Sequence, residues 1–116
     1  MEDITFLQEA LKRIHSHKGV RGSIIVNADG IPLRTTLEHE EALQYASLAM
    51  RLSSRARAAV KTLSSKSKDT PETLDELLTL RVRSKKHEII ITPAYEKGRE
   101  FSLIVIQDPS AVQPAY

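Results

Sequence analysis

The sequence contains no cysteine and no tryptophan, and aromatic residues make up only 4% of its 116 positions. A chain without cysteine forms neither disulfide bonds nor thiolate metal sites, which fits a reducing compartment. With so few aromatic rings, the core must be built from aliphatic side chains. The N-terminus lacks the features of a signal peptide, and no apolar run approaches the ~18 residues of a membrane helix. We therefore expect one cytoplasmic domain over residues 1–116, with an ordered core over 4–109 and a loose C-terminal tail.

Motifs that carry chemistry are missing as well. The four histidines form no metal-binding motif, because His15 and His17 are two positions apart and cannot face each other on a helix. The segment Lys18–Gly22 follows a helix and precedes a strand, the reverse of a phosphate-binding loop. No G-x-S-x-G motif is present, and the basic residues have no aromatic neighbours for stacking bases. We expect no catalytic residue, metal or cofactor, and neither a membrane nor a nucleic acid as partner.

Hydrophobic periodicity predicts the order helix, two strands, helix, three strands. In chain order the predicted elements are helix 4–17, strands 23–27 and 31–36, helix 38–63, and strands 78–83, 88–92 and 101–107. The first and fifth strands are almost continuously apolar, which is typical of central strands buried on both faces. Hairpins then place the other strands beside them. The prediction is an α/β (α+β) fold with a mainly antiparallel sheet in the order 2-1-5-4-3.

The two predicted edge strands differ. Strand two carries Pro32, which has no amide hydrogen to donate and protects an edge against unwanted pairing. Strand three has no proline and no evident bulge, so its regular edge needs a cover. We predict that it pairs with the same strand of a second copy across a two-fold axis. The alternative is that Arg81 and Arg83 themselves protect the edge and the protein is a monomer.

Helix two has an apolar zone wider than contact with one sheet requires, which suggests that something else packs on its flank. The apolar positions on its main arc are Tyr45, Ala49, Leu52, Ala56, Ala59, Val60 and Leu63, and the zone is extended by Leu43, Ala46 and Met50.

Four blocks of the sequence resemble the roadblock family of dynein light chains. They are residues 18–33, 44–48, 80–89 and 103–109. The third block, LRVRSKKHEI, is the most specific, because it favours the dynein branch over the wider superfamily. Together the blocks place the resemblance over nearly the whole chain, from about Leu7 to Pro109.

The resemblance implies a roadblock fold related to profilin and longin domains, with helix one on one sheet face and helix two on the other. It implies a homodimer, or a heterodimer with a paralogous light chain, whose two sheets join into one. It also implies a non-catalytic subunit that binds the dynein intermediate chain in a microtubule-associated complex of the cytoplasm or the cilium. A scaffold or regulator of small GTPases is the alternative, since the wider superfamily includes such proteins.

Specific residues follow from these expectations. The predicted strand pairing uses Thr79, Arg81 and Arg83, and the predicted contact between second helices uses Leu43, Ala46, Met50 and Ser53. The intermediate chain is predicted to bind at helix one, through Leu7, Leu11 and Ile14, and at the sheet face beside it.

Two connections look longer than in the cytoplasmic members of the family. They are the polar segment Ser64–Glu76 and the predicted loop Tyr95–Arg99. Longer forms suit a ciliary dynein, so the sequence leaves the choice between a cytoplasmic and an axonemal motor open.

Overall fold

The computed structural model describes residues 4–65 and 75–109. Within these residues the chain forms two helices and five strands. In chain order they are α1 (Thr5–His15), β1 (Val20–Asn27), β2 (Pro32–Thr35), α2 (His39–Ser65), β3 (Leu80–Arg83), β4 (Glu88–Glu96) and β5 (Arg99–Gln107). Most of the long connection between α2 and β3 and the predicted loose tail lie outside the described residues.

The strands form one antiparallel sheet in the order β2-β1-β5-β4-β3, which confirms the predicted topology. β1 is buried without interruption from Gly22 to Val26. This is why its sequence shows an apolar run rather than alternation: both faces of the central strands are covered. The short strands β2 and β3 form the two edges, as the sequence predicts.

Each face of the sheet carries its own core. Ile24 and Val26 of β1 pack with the buried alanines of α2 on one face. The intervening Ile25 packs with Leu7 of α1 and Phe101 of β5 on the other. Successive residues of a strand point to opposite faces, so one apolar run supplies both cores. The prediction of one helix on each face is confirmed.

The hairpin that joins β4 and β5 departs from the prediction. The fourth strand was predicted over 88–92, with Pro93 after its end, yet Pro93 pairs with Ser102 and the strand continues to Glu96. β3 pairs with β4 only as far as Ile91, so beyond that point the outer side of β4 is itself an edge. A proline there removes no hydrogen bond from the ladder.

The turn of the same hairpin is short. It consists of Lys97 and Gly98, both with positive φ angles of 53° and 78°, as a two-residue hairpin turn requires. The expected extended loop over Tyr95–Arg99 is therefore wrong, because the strands themselves continue up to the turn.

A bulky substitution at Ala46 tests how closely α2 lies on the sheet. Ala46 is 1% exposed, within a cluster that includes Ala42 and Ala49. Ala46→Trp is expected to lower the urea midpoint of unfolding, with a loss of about 3 kcal/mol, because overpacking displaces a well-packed helix. Ala58→Trp, at an exposed position of the same helix, is the matched control and should leave the midpoint almost unchanged. An unchanged midpoint for Ala46→Trp would contradict this packing.

Candidate functional site

β3 is the terminal strand of the sheet, and its backbone has a defined orientation. In the turn that follows, the Ser84 amide donates to the His87 carbonyl at 2.8 Å. In an antiparallel ladder, alternate residues direct both backbone groups toward the partner strand. Val82 and Leu80, two and four positions before Ser84, therefore face β4. The backbone groups of the intervening Arg81 point away from the sheet, on the side where a further strand would pair.

The opposite edge is protected. β2 begins at Pro32, and the guanidinium Nη1 of Arg34 donates to the carbonyl oxygen of Leu33 at 2.7 Å. A missing donor and an occupied acceptor both hinder the addition of a strand. The β2 edge is therefore less able to accept a further strand than the β3 edge, as Pro32 indicates from the sequence.

A buried carboxylate lies next to β3. Glu88, at the start of β4, is 0% exposed, and its Oε2 accepts from Nη2 and Nε of Arg81 at 3.1 and 3.2 Å. Nε of Arg83 lies 3.6 Å from the same oxygen, and Nη2 of Arg83 donates to the Pro109 carbonyl. Both arginine side chains are drawn toward β4, so their charges are partly neutralised.

The flank of α2 that faces β3 exposes apolar side chains beside polar ones. Tyr45 and Leu48 line a shallow hollow of about 370 Å³ near the start of β4, and its other lining residues are Glu41, Gln44, His87 and Ile89. Leu52 lies farther along the same flank by helical periodicity and packs against the core. Leu48 is 39% exposed, so this flank presents uncovered apolar surface beside the open strand.

Within residues 4–65 and 75–109, α1 covers only half of the sheet face on which it lies. Gln8, Lys12 and His15 of α1 face β2, so Phe6 and Ala10, on the opposite flank by helical periodicity, face β5 and β4. Phe6 is 61% exposed. The neighbouring sheet residues on this face are partly buried and mostly apolar, namely Leu103, Ile90, Thr92 and Ala94. We call this surface the α1–β4 groove.

Comparison with known proteins identifies the fold. The sequence profile of the Roadblock/LC7 domain matches residues 6–108. The chain therefore belongs to the Roadblock/LC7 family. This membership agrees with the resemblance seen in the four sequence blocks. The matched residues include α2, all five strands and all of α1 except Thr5.

Solved structures share the Roadblock/LC7 fold at low sequence identity. The Roadblock/LC7 domain from Streptomyces avermitilis is 16% identical, with a TM-score of 0.66 over 87% of this chain and 77% of that one. Gliding protein MglB from Thermus thermophilus is 14% identical, with a TM-score of 0.67 over 90% and 73%. MglB in a tetrameric arrangement is 14% identical, with a TM-score of 0.69 over 96% and 78%. At these identities the likeness concerns the fold alone.

This Roadblock/LC7 domain places the predicted helix contacts in different surroundings. Ala46 and Ser53 are buried between α2 and the sheet, at 1% and 2% exposure, so they belong to the monomer core. Met50 lies against Gly30 in the β1–β2 turn, which puts it and Leu43 on the flank away from β3. The residues on the flank toward β3 are instead Tyr45, Leu48 and Leu52. Tyr45 and Leu52 belong to the apolar arc predicted from the sequence, and Leu48 lies beside them by helical periodicity.

The predicted partner contacts on α1 also have a structural role. Leu7 and Leu11 are buried, and Ile14 is partly buried in the same cluster. Their side chains hold α1 on the sheet and do not face outward. The exposed apolar residue of this helix is Phe6, which the spacing of the buried residues does not single out.

Two general tests for other functions concern the described residues alone. No group of three or more histidine, cysteine, aspartate or glutamate side chains in residues 4–65 and 75–109 could hold a metal ion. In the same part of the chain, neither helix is long and apolar enough to cross a membrane.

Proposed function

We propose that this Roadblock/LC7 domain is a non-catalytic subunit that dimerises along β3 and binds a segment of a larger protein, as a dynein light chain binds its intermediate chain. The observation that carries the proposal is the open edge of β3, with an uncovered apolar flank of α2 beside it. An open strand edge and an exposed apolar helix flank each favour unwanted association. A second copy of the chain would cover both surfaces at once.

The proposed dimer joins the two sheets through antiparallel β3 strands. The edge that faces away from β4 offers the backbone groups of alternate residues, namely Thr79, Arg81 and Arg83. Arginines brought together across a two-fold axis repel each other, but in each subunit Glu88 neutralises part of this charge. The pairing of Arg81 and Arg83 with Glu88 argues against the alternative that these side chains serve to block the edge.

Dimerisation also brings the two α1–β4 grooves together. Each groove lies between α1 and the β3 edge, so pairing of the edges makes one wide surface with an α1 helix at either side. A partner segment that orders on this surface buries apolar residues and loses conformational entropy, so a preformed surface raises its affinity. Exposed Phe6 and the guanidinium of Arg81 give the surface apolar and basic character.

The dynein assignment rests on residues 80–89 and on membership of the family. It places the protein in the cytoplasm, in a microtubule-associated or ciliary complex, as a homodimer or with a paralogous light chain. A scaffold or regulator of small GTPases is the second candidate. It is favoured by the wider superfamily and by structural neighbours that are gliding proteins, one of them in a tetrameric arrangement.

Capture experiments with matched variants test this function. The immobilised full chain is expected to retain dynein intermediate chains from an extract of the source organism, identified by mass spectrometry. Phe6→Asp should reduce this retention at least tenfold, because it places a charge in the α1–β4 groove. Ile31→Asp is the control, since Ile31 is a comparably exposed apolar residue in the β1–β2 turn.

The outcome separates the two candidates. Retention of a small GTPase without dynein chains, with a changed rate of GTP hydrolysis, would replace the light-chain assignment by the second candidate. Equal loss of intermediate chain in both variants would remove the groove from the proposal.

A further inference from the structure

A second cavity lies on the other flank of α1, between this helix and the β2 edge. Its volume is about 410 Å³. The residues that line it come from three elements and the segment after β2, and they are Gln8, Leu11, Lys12, His15, Ser23, Arg34, Thr35 and Thr36. We propose that this cavity binds a phosphate monoester.

The charge of the cavity is of one sign. Lys12 and His15 reach it from α1, and Arg34 reaches it from β2. Among the described residues that line it, none is a carboxylate. A lysine and an arginine placed on opposite walls, with the Thr36 hydroxyl between them, are groups that proteins use to hold phosphate oxygens.

The polar groups of the floor are held in position. Nε2 of His15 and Oγ of Ser23 form a hydrogen bond of 2.6 Å, and Ser23 is 0% exposed. The Ser23 amide donates to Oγ1 of Thr36 at 3.0 Å, and Oγ1 of Thr35 donates to the Ser23 carbonyl at 3.1 Å. The His15 imidazole is therefore hydrogen-bonded to a serine whose own backbone is fixed by hydrogen bonds to Thr35 and Thr36. Such preorganisation reduces the entropy lost when a ligand binds.

Basic residues near the end of a helix also have a simpler role, because they offset the negative pole of the helix dipole. Lys12 and His15 lie in the last turn of α1 and fit this explanation. Arg34 does not, since it belongs to a strand and enters the cavity from the opposite wall. It uses one guanidinium nitrogen on the Leu33 carbonyl, and a guanidinium has five N–H donors in all.

The place of the cavity in the fold keeps it separate from the proposed dimer. β2 and β3 are at opposite ends of the sheet, so pairing along β3 leaves the cavity uncovered. A volume of about 410 Å³ takes a phosphate group together with part of the molecule that carries it. That molecule is either a phosphorylated protein side chain or a small phosphate ester. In both cases the group recognised is the phosphate monoester.

Titration of the full chain tests the site. Three probes, O-phosphoserine, AMP and inorganic phosphate, are added to ¹⁵N-labelled protein up to about 10 mM, above a millimolar dissociation constant. We expect saturable shifts of the amide signals of Ser23 and Thr36. Tighter binding of O-phosphoserine would identify the source as a phosphorylated side chain, and tighter binding of AMP as a small ester; both support the site.

Substitutions show whether the named side chains are responsible. Lys12→Gln and Arg34→Gln are each expected to weaken binding about tenfold, since each removes a charged hydrogen bond. Arg13→Gln is the matched control, because Arg13 is an exposed base in the same helical turn that does not line the cavity. The proposal is overturned by shifts of none of these amides with any probe, by equal binding of sulfate, or by an equal effect of Arg13→Gln.

Discussion

Replacing Leu48 by glutamate is expected to convert the proposed dimer into folded monomers. Leu48 is 39% exposed on the flank of α2 that faces β3, where it lines a hollow with Tyr45 and Ile89. In the proposed dimer this flank meets the same flank of a second copy. A carboxylate there would be desolvated without a partner, and truncations of central interface residues cost about 2 kcal/mol or more, roughly 30-fold in the dimer dissociation constant.

Leu43→Glu is the matched control for this substitution. Leu43 lies on the same helix and is 45% exposed, but it faces the other flank, with Met50 and the β1–β2 turn. Light scattering at low micromolar concentration should give a dimer mass for the wild type and for Leu43→Glu, and a monomer mass for Leu48→Glu. Circular dichroism should show equal helix content in all three proteins.

The result distinguishes several outcomes. A wild type that is monomeric at this concentration would overturn the dimer itself. If Leu43→Glu is monomeric and Leu48→Glu is dimeric, then the helix contact lies on the flank first expected from the sequence.

Removing both arginines beside Glu88 is expected to lower the free energy of unfolding by a few kcal/mol. Arg81→Ala combined with Arg83→Ala leaves a fully buried carboxylate without its two cations. Breaking a buried ion pair from one side costs about 3 to 5 kcal/mol, because the remaining charge is uncompensated. The lower end of this range applies, since Arg81 is half exposed and water screens part of its attraction.

Urea denaturation at a fixed protein concentration measures this loss. The double variant Lys85→Ala, Lys86→Ala is the matched control, because it removes two exposed positive charges from the adjacent turn. Adding Glu88→Met to the arginine variant should recover most of the stability, since an apolar side chain of similar length needs no cation. Equal midpoints for the arginine and lysine variants would show that Glu88 is not held in the buried, paired state.

The local pattern of the sequence was sufficient for the order of the sheet. Continuous apolar runs in β1 and β5 mark strands with two covered faces, and chain connectivity then leaves few arrangements for the others. Pro32 was read correctly as an edge residue, because a proline lacks a donor wherever it stands. The same argument failed at Pro93, whose missing donor lies on the outer side of β4, beyond the pairing of Ile91 with Leu80, the first residue of β3. The length of a neighbouring strand decides that outcome, and no local pattern contains it.

The candidate surfaces were predictable only in part. A helical wheel shows that α2 has a wide apolar zone, but not which side of it meets β3. That side depends on where the helix lies over the sheet, and the contacts of Met50 with Gly30 and of Leu48 near His87 place it. Glu88 reads in the sequence as a charged residue at the start of a strand. Its burial depends on Arg81 and Arg83, which the β3–β4 register brings beside it.

By itself, the sequence determined the family, the two faces of the sheet and the unequal protection of its two edges. The family follows from the four blocks that resemble it. The two covered faces and the unequal edges follow from side-chain type and spacing, which act over a few neighbouring residues. The tertiary structure alone decided which flank of α2 is uncovered beside β3, and that Lys12, His15 and Arg34 line one cavity. Such properties depend on residues far apart in the chain, and the close packing of α1 and α2 on the sheet sets their distances.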